Sequence, residues 1–89
     1  MPILSTFYDI VVRMYFFDDK QHHVPHVYAE YAGNQAVFVI ASGEVLAGAL
    51  PSGKSRLVQA WIEIHRDELE ADWRLAVNGE AVFKIEPLK

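Results

Sequence analysis

The sequence contains no cysteine, which excludes disulfide bonds, thiolate nucleophiles and zinc sites built on cysteine. It also has no basic cluster, because its 8 Lys and Arg residues are scattered among 12 Asp and Glu residues, for a net charge of -4. Proteins that bind nucleic acid broadly neutralise phosphates with grouped cations. The charge therefore argues against nucleic acid as a partner.

Long hydrophobic runs are also absent. The longest uncharged run covers residues 31–43, which is shorter than the ~18 residues expected of a membrane-spanning helix. The amino terminus lacks the basic region and the apolar core of a signal peptide. We therefore expect a cytoplasmic protein without a membrane segment.

Apolar residues are plentiful and make up 52% of the 89 residues. This composition is typical of a folded globular protein, and the length allows one domain with one core. We expect residues 1–89 to form a single α+β domain. The predicted fold is a mostly antiparallel sheet of four to five strands packed on one long C-terminal helix.

The strands are predicted from β-branched and aromatic residues that alternate between two faces. They cover residues 8–17, 26–31, 36–41 and 45–50, with a short closing strand at residues 81–85. Gly33 and Asn34 predict a hairpin turn, and Pro25 predicts a loop or a sheet edge at the start of the second strand. The third strand is apolar on both faces, so a single helix leaves one face uncovered, which is typical of an interface.

Residues 54–78 predict the helix, because apolar residues recur there at steps of three and four. Its length would be roughly 37 Å, longer than the ~30 Å of a small domain. The helix must therefore bend, break near residues 65–67, or project to meet a partner. Trp61 and Trp73 are expected to anchor the core. The acidic residues predict a solvated face or a docking strip for a basic partner: Glu63, Asp67, Glu68, Glu70 and Asp72.

Histidines are concentrated in one short stretch that holds His22, His23 and His26. Imidazole can move protons near neutral pH or bind a metal, so this stretch is the first candidate for chemistry. If His26 begins a strand, Tyr28 and Glu30 share its face. The spacing does not match the regular patterns of zinc sites, and we predict neither a metal nor a cofactor.

The candidate residues fall into two sets. If the protein is an enzyme, the catalytic residues are His26, Tyr28 and Arg13, with His26 as general acid or base. The candidate binding residues are His22, His23, Glu30 and His65. His65 lies on the apolar stripe of the helix, where a histidine is more often a hydrogen-bonded core residue than a catalyst.

Several motifs together resemble a known family of small bacterial proteins. They are Arg13-Met14-Tyr15-Phe16, His23-Val24-Pro25-His26, Gly43-Glu44-Val45-Leu46, Leu57-Val58-Gln59-Ala60-Trp61 and His65-Arg66-Asp67-Glu68-Leu69, with Ile3 and Trp73. The family is the domain of unknown function 4160, and the resemblance covers nearly the whole chain. It implies a bacterial protein encoded beside another small protein, in an arrangement like a toxin-antitoxin pair, and it implies no established activity.

Members of that family usually show Pro-His-aromatic-His where this chain has Pro25-His26-Val27-Tyr28. A phenol replaces the second imidazole of the pair. Because a phenol is a poor zinc ligand, this departure from the family pattern argues against metal binding by the pair and leaves a hydrogen-bonding role open.

Three functions remain open at this point. The favoured one is a protein-interaction or regulatory component of a two-gene module, whose partner is a second copy or the product of the neighbouring gene. The second is a small histidine-dependent hydrolase or ribonuclease-like toxin. The third is metal binding through His22, His23 and His26.

Overall fold

A computed structural model describes residues 2–15 and 24–89. Within these residues five strands precede two helices: β1 Ile3–Phe7, β2 Ile10–Arg13, β3 His26–Tyr31, β4 Asn34–Val39, β5 Val45–Gly48, α1 Ser52–Ile64 and α2 Arg66–Val77. The strands form one antiparallel sheet in the order β1-β2-β3-β4-β5. The predicted α+β class and antiparallel sheet are confirmed.

The first predicted strand, residues 8–17, is wrong in its bounds. Tyr8 and Asp9 form the turn between β1 and β2, with φ angles of 50° and 64°. Two-residue hairpin turns of this kind normally carry glycine or asparagine. Because Tyr-Asp is not such a turn signal, the sequence did not reveal this hairpin. Residues 16–17 of the predicted strand lie outside the described residues.

The second predicted strand is confirmed as β3, and its hairpin with β4 turns at Ala32 and Gly33, one residue earlier than predicted. β3 pairs with β2 on one side and with β4 on the other, so it is the central strand. In the part of the chain that the structure describes, β2 pairs only with residues 28–30 of β3, so His26 pairs with β4 alone and Pro25 lies in a loop, which agrees with the predicted loop or sheet edge at the start of this strand. Pro25 precedes the strand, where its missing N–H costs no ladder hydrogen bond.

The single long helix is wrong, and of the three alternatives the break near residues 65–67 is confirmed, because the chain bends at His65 between α1 and α2. His65 takes φ -110° and ψ 23°, while the Arg66 side chain donates to the Ile40 carbonyl and ties the start of α2 to the end of β4. The largest extent of the molecule is 33 Å, shorter than the predicted rod. The apolar spacing continues across the bend because both helices bury one face against the same core.

The core lies between the sheet and the two helices, and it confirms Trp61 and Trp73 as anchors. Trp61 is fully buried and packs on Phe7, with ring centroids 5.4 Å apart. The other face of β4 is less open than the sequence predicted. Val37 is only 6% exposed and Val39 is half-buried, so no wide apolar surface remains there.

The last residues, 80–89, cross the end of the core and run beside β1. The Ile85 N–H donates to the Leu4 carbonyl at 2.9 Å, and the Trp61 indole N–H donates to the Glu86 carbonyl at 2.8 Å. The predicted closing strand at residues 81–85 is wrong, since this segment has no regular secondary structure. Contacts with side chains of the helices keep this segment in position, and no continuous β-ladder with β1 is needed.

Candidate functional site

The predicted site residues on β3, His26, Tyr28 and Glu30, lie next to Arg13 on the neighbouring strand β2. Arg13 lies directly opposite Tyr28 in the sheet, and its Nε donates to Glu30 Oε1 at 3.1 Å. Tyr15 packs edge-on against Tyr28 with ring centroids 4.6 Å apart. Four predicted site residues, His26, Tyr28, Arg13 and Glu30, therefore belong to one contiguous polar and aromatic group, which we call the β3 row.

His26 occupies the buried end of the β3 row and is 1% exposed. Its Nδ1–H donates to the Val24 carbonyl at 2.7 Å. Its ring also lies 4.9 Å from the Trp73 ring and 5.4 Å from the Tyr28 ring. His26 therefore joins the sheet to α2, as a hydrogen-bonded structural residue does.

The Arg13–Glu30 ion pair lies at the more open end of the β3 row. The two side chains are 25% and 38% exposed, respectively. A partly solvated pair of this kind adds at most ~1 kcal/mol to stability. It fixes the charges on this part of the sheet surface, where Glu30 also borders a cavity of about 380 Å³ beside the turn between β3 and β4.

His65 does not join the β3 row. Its Nδ1 lies 2.6 Å from Glu68 Oε1, and its ring packs at 5.7 Å from the Trp61 ring. Both contacts are with the helices on either side of the bend. The sequence predicted a hydrogen-bonded core residue here; His65 makes the side-chain contact with Glu68, but it is half-buried and lies outside the core cluster.

The remaining candidates, His22 and His23, lie outside the described residues. Among residues 2–15 and 24–89, no group of three or more His, Asp or Glu side chains is placed to hold a metal ion. His26, the one member of the histidine stretch that the structure describes, makes the hydrogen bond and ring contacts given above.

The β5 edge is a feature that sequence reasoning missed as a site. All four residues of β5 are exposed, and Val45 and Leu46 are 42% and 43% exposed. The Val39 N–H bonds the Glu44 carbonyl and the Ala49 N–H bonds the Gln35 carbonyl. In an antiparallel ladder this pattern makes Val45 and Gly48 non-hydrogen-bonded positions. Their N–H groups therefore point away from β4.

Asp72 departs from the acidic helix surface on which the sequence placed it. It is 2% exposed, and its Oδ1 accepts a hydrogen bond from the Phe83 N–H at 3.0 Å. Burial raises the pKa of this carboxyl above 3.8, against the opposing effect of the Phe83 hydrogen bond, and nearby Glu68 raises it further. Its Oδ2 is buried without a hydrogen-bond partner.

No helix in the described part of the chain is both long and apolar enough to cross a membrane. The architecture is that of a small α+β protein in which an antiparallel five-stranded meander is covered by two consecutive helices. The family model described as Domain of unknown function (DUF4160) matches residues 9–74, which is most of the chain, and the protein belongs to that family. No curated protein and no solved structure matches the chain.

Proposed function

We propose that this chain is a protein-interaction component, acting in the cytoplasm, of a two-gene module of the toxin-antitoxin kind. It binds the product of the neighbouring gene by adding an extended strand of that partner to β5. The observation that supports this most is the open, apolar edge of β5. Two earlier arguments, the uncovered face of β4 and the projecting helix, do not support it.

The β5 edge has the chemistry that strand addition requires. Main-chain groups of Val45 and Gly48 point outward, and aliphatic side chains stand beside them. Most native proteins protect such an edge with charged residues or proline, yet β5 consists of Val-Leu-Ala-Gly. The irregular pairing with β4 and the short length limit the strand that can be added to about four residues.

The charge of the chain favours a different protein over a second copy. Two chains that each carry a net charge of -4 repel one another, whereas a basic segment is attracted. Glu44 is exposed immediately before β5 and gives the edge a negative end. The partner segment is therefore expected to be extended, apolar and flanked by a basic residue.

The test is co-expression of this chain with the tagged product of the neighbouring gene, followed by measurement of the affinity of the complex. Val45→Pro removes an outward N–H without removing a bond to β4, and Leu46→Lys places a charge on the edge. Each variant should weaken binding at least ~10-fold, because both act on the edge hydrogen bonds or on their apolar surroundings. Amide spectra establish that each variant is folded.

Ile64→Lys is the matched control, since Ile64 is 65% exposed at the end of α1 and the change adds the same charge as Leu46→Lys. It should leave the affinity unchanged. Absence of a complex with the neighbouring gene product, or full binding by both folded β5 variants, would refute the proposal. Light scattering that shows a dimer of this chain alone, lost in Leu46→Lys, would assign the edge to a second copy instead.

The enzyme alternative draws its support from the convergence of His26, Tyr28 and Arg13 in the β3 row. A general acid or base must come within hydrogen-bond reach of the reacting atom. At 1% exposure His26 meets Trp73 and the Val24 carbonyl instead of solvent. We therefore expect a folded His26→Gln variant to keep any toxicity or cleavage that the wild-type chain shows, and loss of that activity would favour the enzyme.

A further inference from the structure

A cavity of about 150 Å³ separates α2 from the C-terminal segment. It is lined by Glu68, Ala71, Asp72, Phe83, Lys84 and Ile85. We propose that this cavity binds the guanidinium group of an arginine side chain from a partner protein, with the Asp72 carboxylate as its main acceptor. This site lies apart from β5 and does not depend on strand addition there.

Asp72 supplies the acceptor that such a group requires. The carboxylate is 2% exposed, its Oδ1 is held by the Phe83 N–H, and its Oδ2 has no partner. A buried carboxylate oxygen without a hydrogen bond is costly, and a charged donor offsets that cost more fully than a neutral one. The unused oxygen of Asp72 therefore favours a cationic hydrogen-bond donor.

Glu68 and Phe83 add two further features suited to a cation. Glu68 lines the same cavity with a side chain that is 56% exposed and whose Oε1 lies 2.6 Å from His65 Nδ1, so a second carboxylate borders the cavity. Phe83 is 73% exposed, the largest exposed fraction among the large hydrophobic residues of the described chain. An aromatic ring beside paired carboxylates attracts a cation through the negative face of the ring.

The size and shape of the cavity favour arginine. Its volume of about 150 Å³ is well above the ~10–15 Å³ that one water molecule needs, so it admits a side-chain head group. A guanidinium can stack its plane on Phe83 while its N–H fork reaches a carboxylate. An ammonium group forms no such stack, so lysine should bind more weakly.

Lys84 is the cation of this chain that could compete for the same place. It lines the cavity but forms no ion pair with Asp72 or Glu68 in the structure. Its position on the exposed C-terminal segment lets it move aside when an arginine enters. Lys84→Met should therefore strengthen arginine binding, because it removes a competing positive charge.

The test uses the full chain and a blocked arginine, N-acetylarginine N-methylamide, followed by amide chemical shifts. The shifts of Ala71 and Phe83 should change saturably. Asp72→Asn keeps an oxygen for the Phe83 N–H but removes the charge, and it should weaken binding at least ~10-fold. Asp9→Asn makes the same change in the exposed turn between β1 and β2 and should leave the affinity unchanged.

Three ligand controls decide the chemistry. The blocked citrulline analogue is neutral and nearly isosteric, so it should not bind, and the blocked lysine analogue should bind several-fold more weakly. Free arginine should bind no better than the blocked form, because the site is assigned to a side chain of a partner. Tighter binding of free arginine would assign the cavity to a small molecule and overturn the proposal.

Two other results would overturn it. One is a set of shifts that spreads over the acidic helix surface and persists unchanged in folded Asp72→Asn. The other is the absence of any saturable shift at Ala71 and Phe83 in the wild-type chain. If Asp72→Asn does not fold, Glu68→Gln replaces it, and loss of affinity there with an intact spectrum would support the same site.

Discussion

At one edge of the sheet β1 runs beside the C-terminal segment, whereas at the other edge β5 has no strand of the described chain outside it. The difference is clearest in burial. Leu4 on β1 is fully buried and Ile85 beside it is 5% exposed, while Val45 and Leu46 on β5 are more than 40% exposed. Among the described residues, the C-terminal segment covers the β1 edge and no strand covers the β5 edge.

Because of this difference, residues at the β1 edge should affect mainly the stability of the fold, and residues at the β5 edge mainly the binding of a partner. Apolar surface that is buried at the β1 edge contributes directly to the free energy of unfolding. Apolar surface that stays exposed at the β5 edge contributes little to it, so substitutions there should affect partners more than folding. The two edges can therefore be distinguished by measurements on the isolated chain.

The largest effect is expected for Ile85→Ala at the covered edge. Ile85 is 5% exposed within the core cluster, and a truncation of this kind in a core costs ~2–4 kcal/mol. Leu46→Ala removes the same number of carbon atoms at the open edge and should change stability by less than ~0.5 kcal/mol. Urea denaturation of both variants measures the difference.

Equal losses in the two variants would show that β5 is as well packed as the C-terminal segment, contrary to the exposure of its side chains. A loss confined to Leu46→Ala would reverse the assignment of the two edges. Either outcome would remove the main support for strand addition at β5.

The next effect concerns the attachment of β5 to β4. Gly48 has φ 73°, and a Cβ at this position would lie 2.2 Å from the Gln35 carbonyl oxygen. Gly33 has a similar φ of 83° but nothing within 4 Å of its Cβ position. Gly33→Ala should therefore cost only the ~1–2 kcal/mol of a left-handed backbone, whereas Gly48→Ala should also detach β5 from β4.

Amide hydrogen exchange distinguishes these two glycine variants. The N–H groups of Val39 and Ala49 form hydrogen bonds between β4 and the residues that flank β5. They should therefore exchange faster than in the wild-type chain in Gly48→Ala, and at the wild-type rate in Gly33→Ala. Because β5 is exposed, the core amides should keep their protection. If the Val39 and Ala49 amides stay protected in Gly48→Ala, the attachment of β5 to β4 does not depend on the close approach of the two strands at Gly48.

A smaller effect is expected for Trp61→Phe, which tests the covered edge without opening a large cavity. The substitution removes the indole N–H that donates to the Glu86 carbonyl at 2.8 Å. The loss of one such hydrogen bond costs ~1 kcal/mol, and the smaller ring adds a packing cost. The Ile85 amide should exchange faster than in the wild-type chain, and unchanged exchange there would mean that Trp61 does not hold the segment.

Periodicity made part of this fold predictable from the sequence. The alternation at His26–Tyr31 and the three-and-four spacing of the helical residues identified β3 and the helical region correctly. Two features lacked a local signal. The Tyr8–Asp9 turn has no glycine or asparagine, and the bend at His65 was expected only from the length of the predicted rod, which exceeds the 33 Å extent of the molecule.

The candidate site was predictable to a similar extent. Strand alternation grouped His26 with Tyr28 and Glu30, and the sheet register places Arg13, which the sequence also named, opposite Tyr28. The exposure of β5 depends on which strand ends the sheet, and the burial of Asp72 depends on where the last ten residues lie. Neither follows from local spacing, because both are set by contacts between distant parts of the chain.

The smallest expected effect is a pH dependence at Asp72, whose Oδ1 holds the C-terminal segment through the Phe83 N–H. Burial raises the pKa of this carboxyl in the folded chain above the 3.8 of an unfolded one. Between pH 3.8 and the raised pKa, Asp72 binds more protons in the folded state than in the unfolded state. This group therefore makes the protein less stable as the pH rises through that interval. Glu68 on α2 and Lys84 on the C-terminal segment are the charged groups that line the same cavity.

Asp72→Asn removes this titration but keeps an acceptor for the Phe83 N–H. The stability of the variant relative to the wild-type chain should therefore be lowest near pH 3, rise through the interval above 3.8 and then stay constant. Urea denaturation at a series of pH values measures this difference, and the exposed carboxylate variant Glu44→Gln should not reproduce the rise. A relative stability that instead falls with pH would mean that the ionised carboxylate is favoured in the folded state, and that the covered edge relies on the charge of Asp72 and not only on its hydrogen bond.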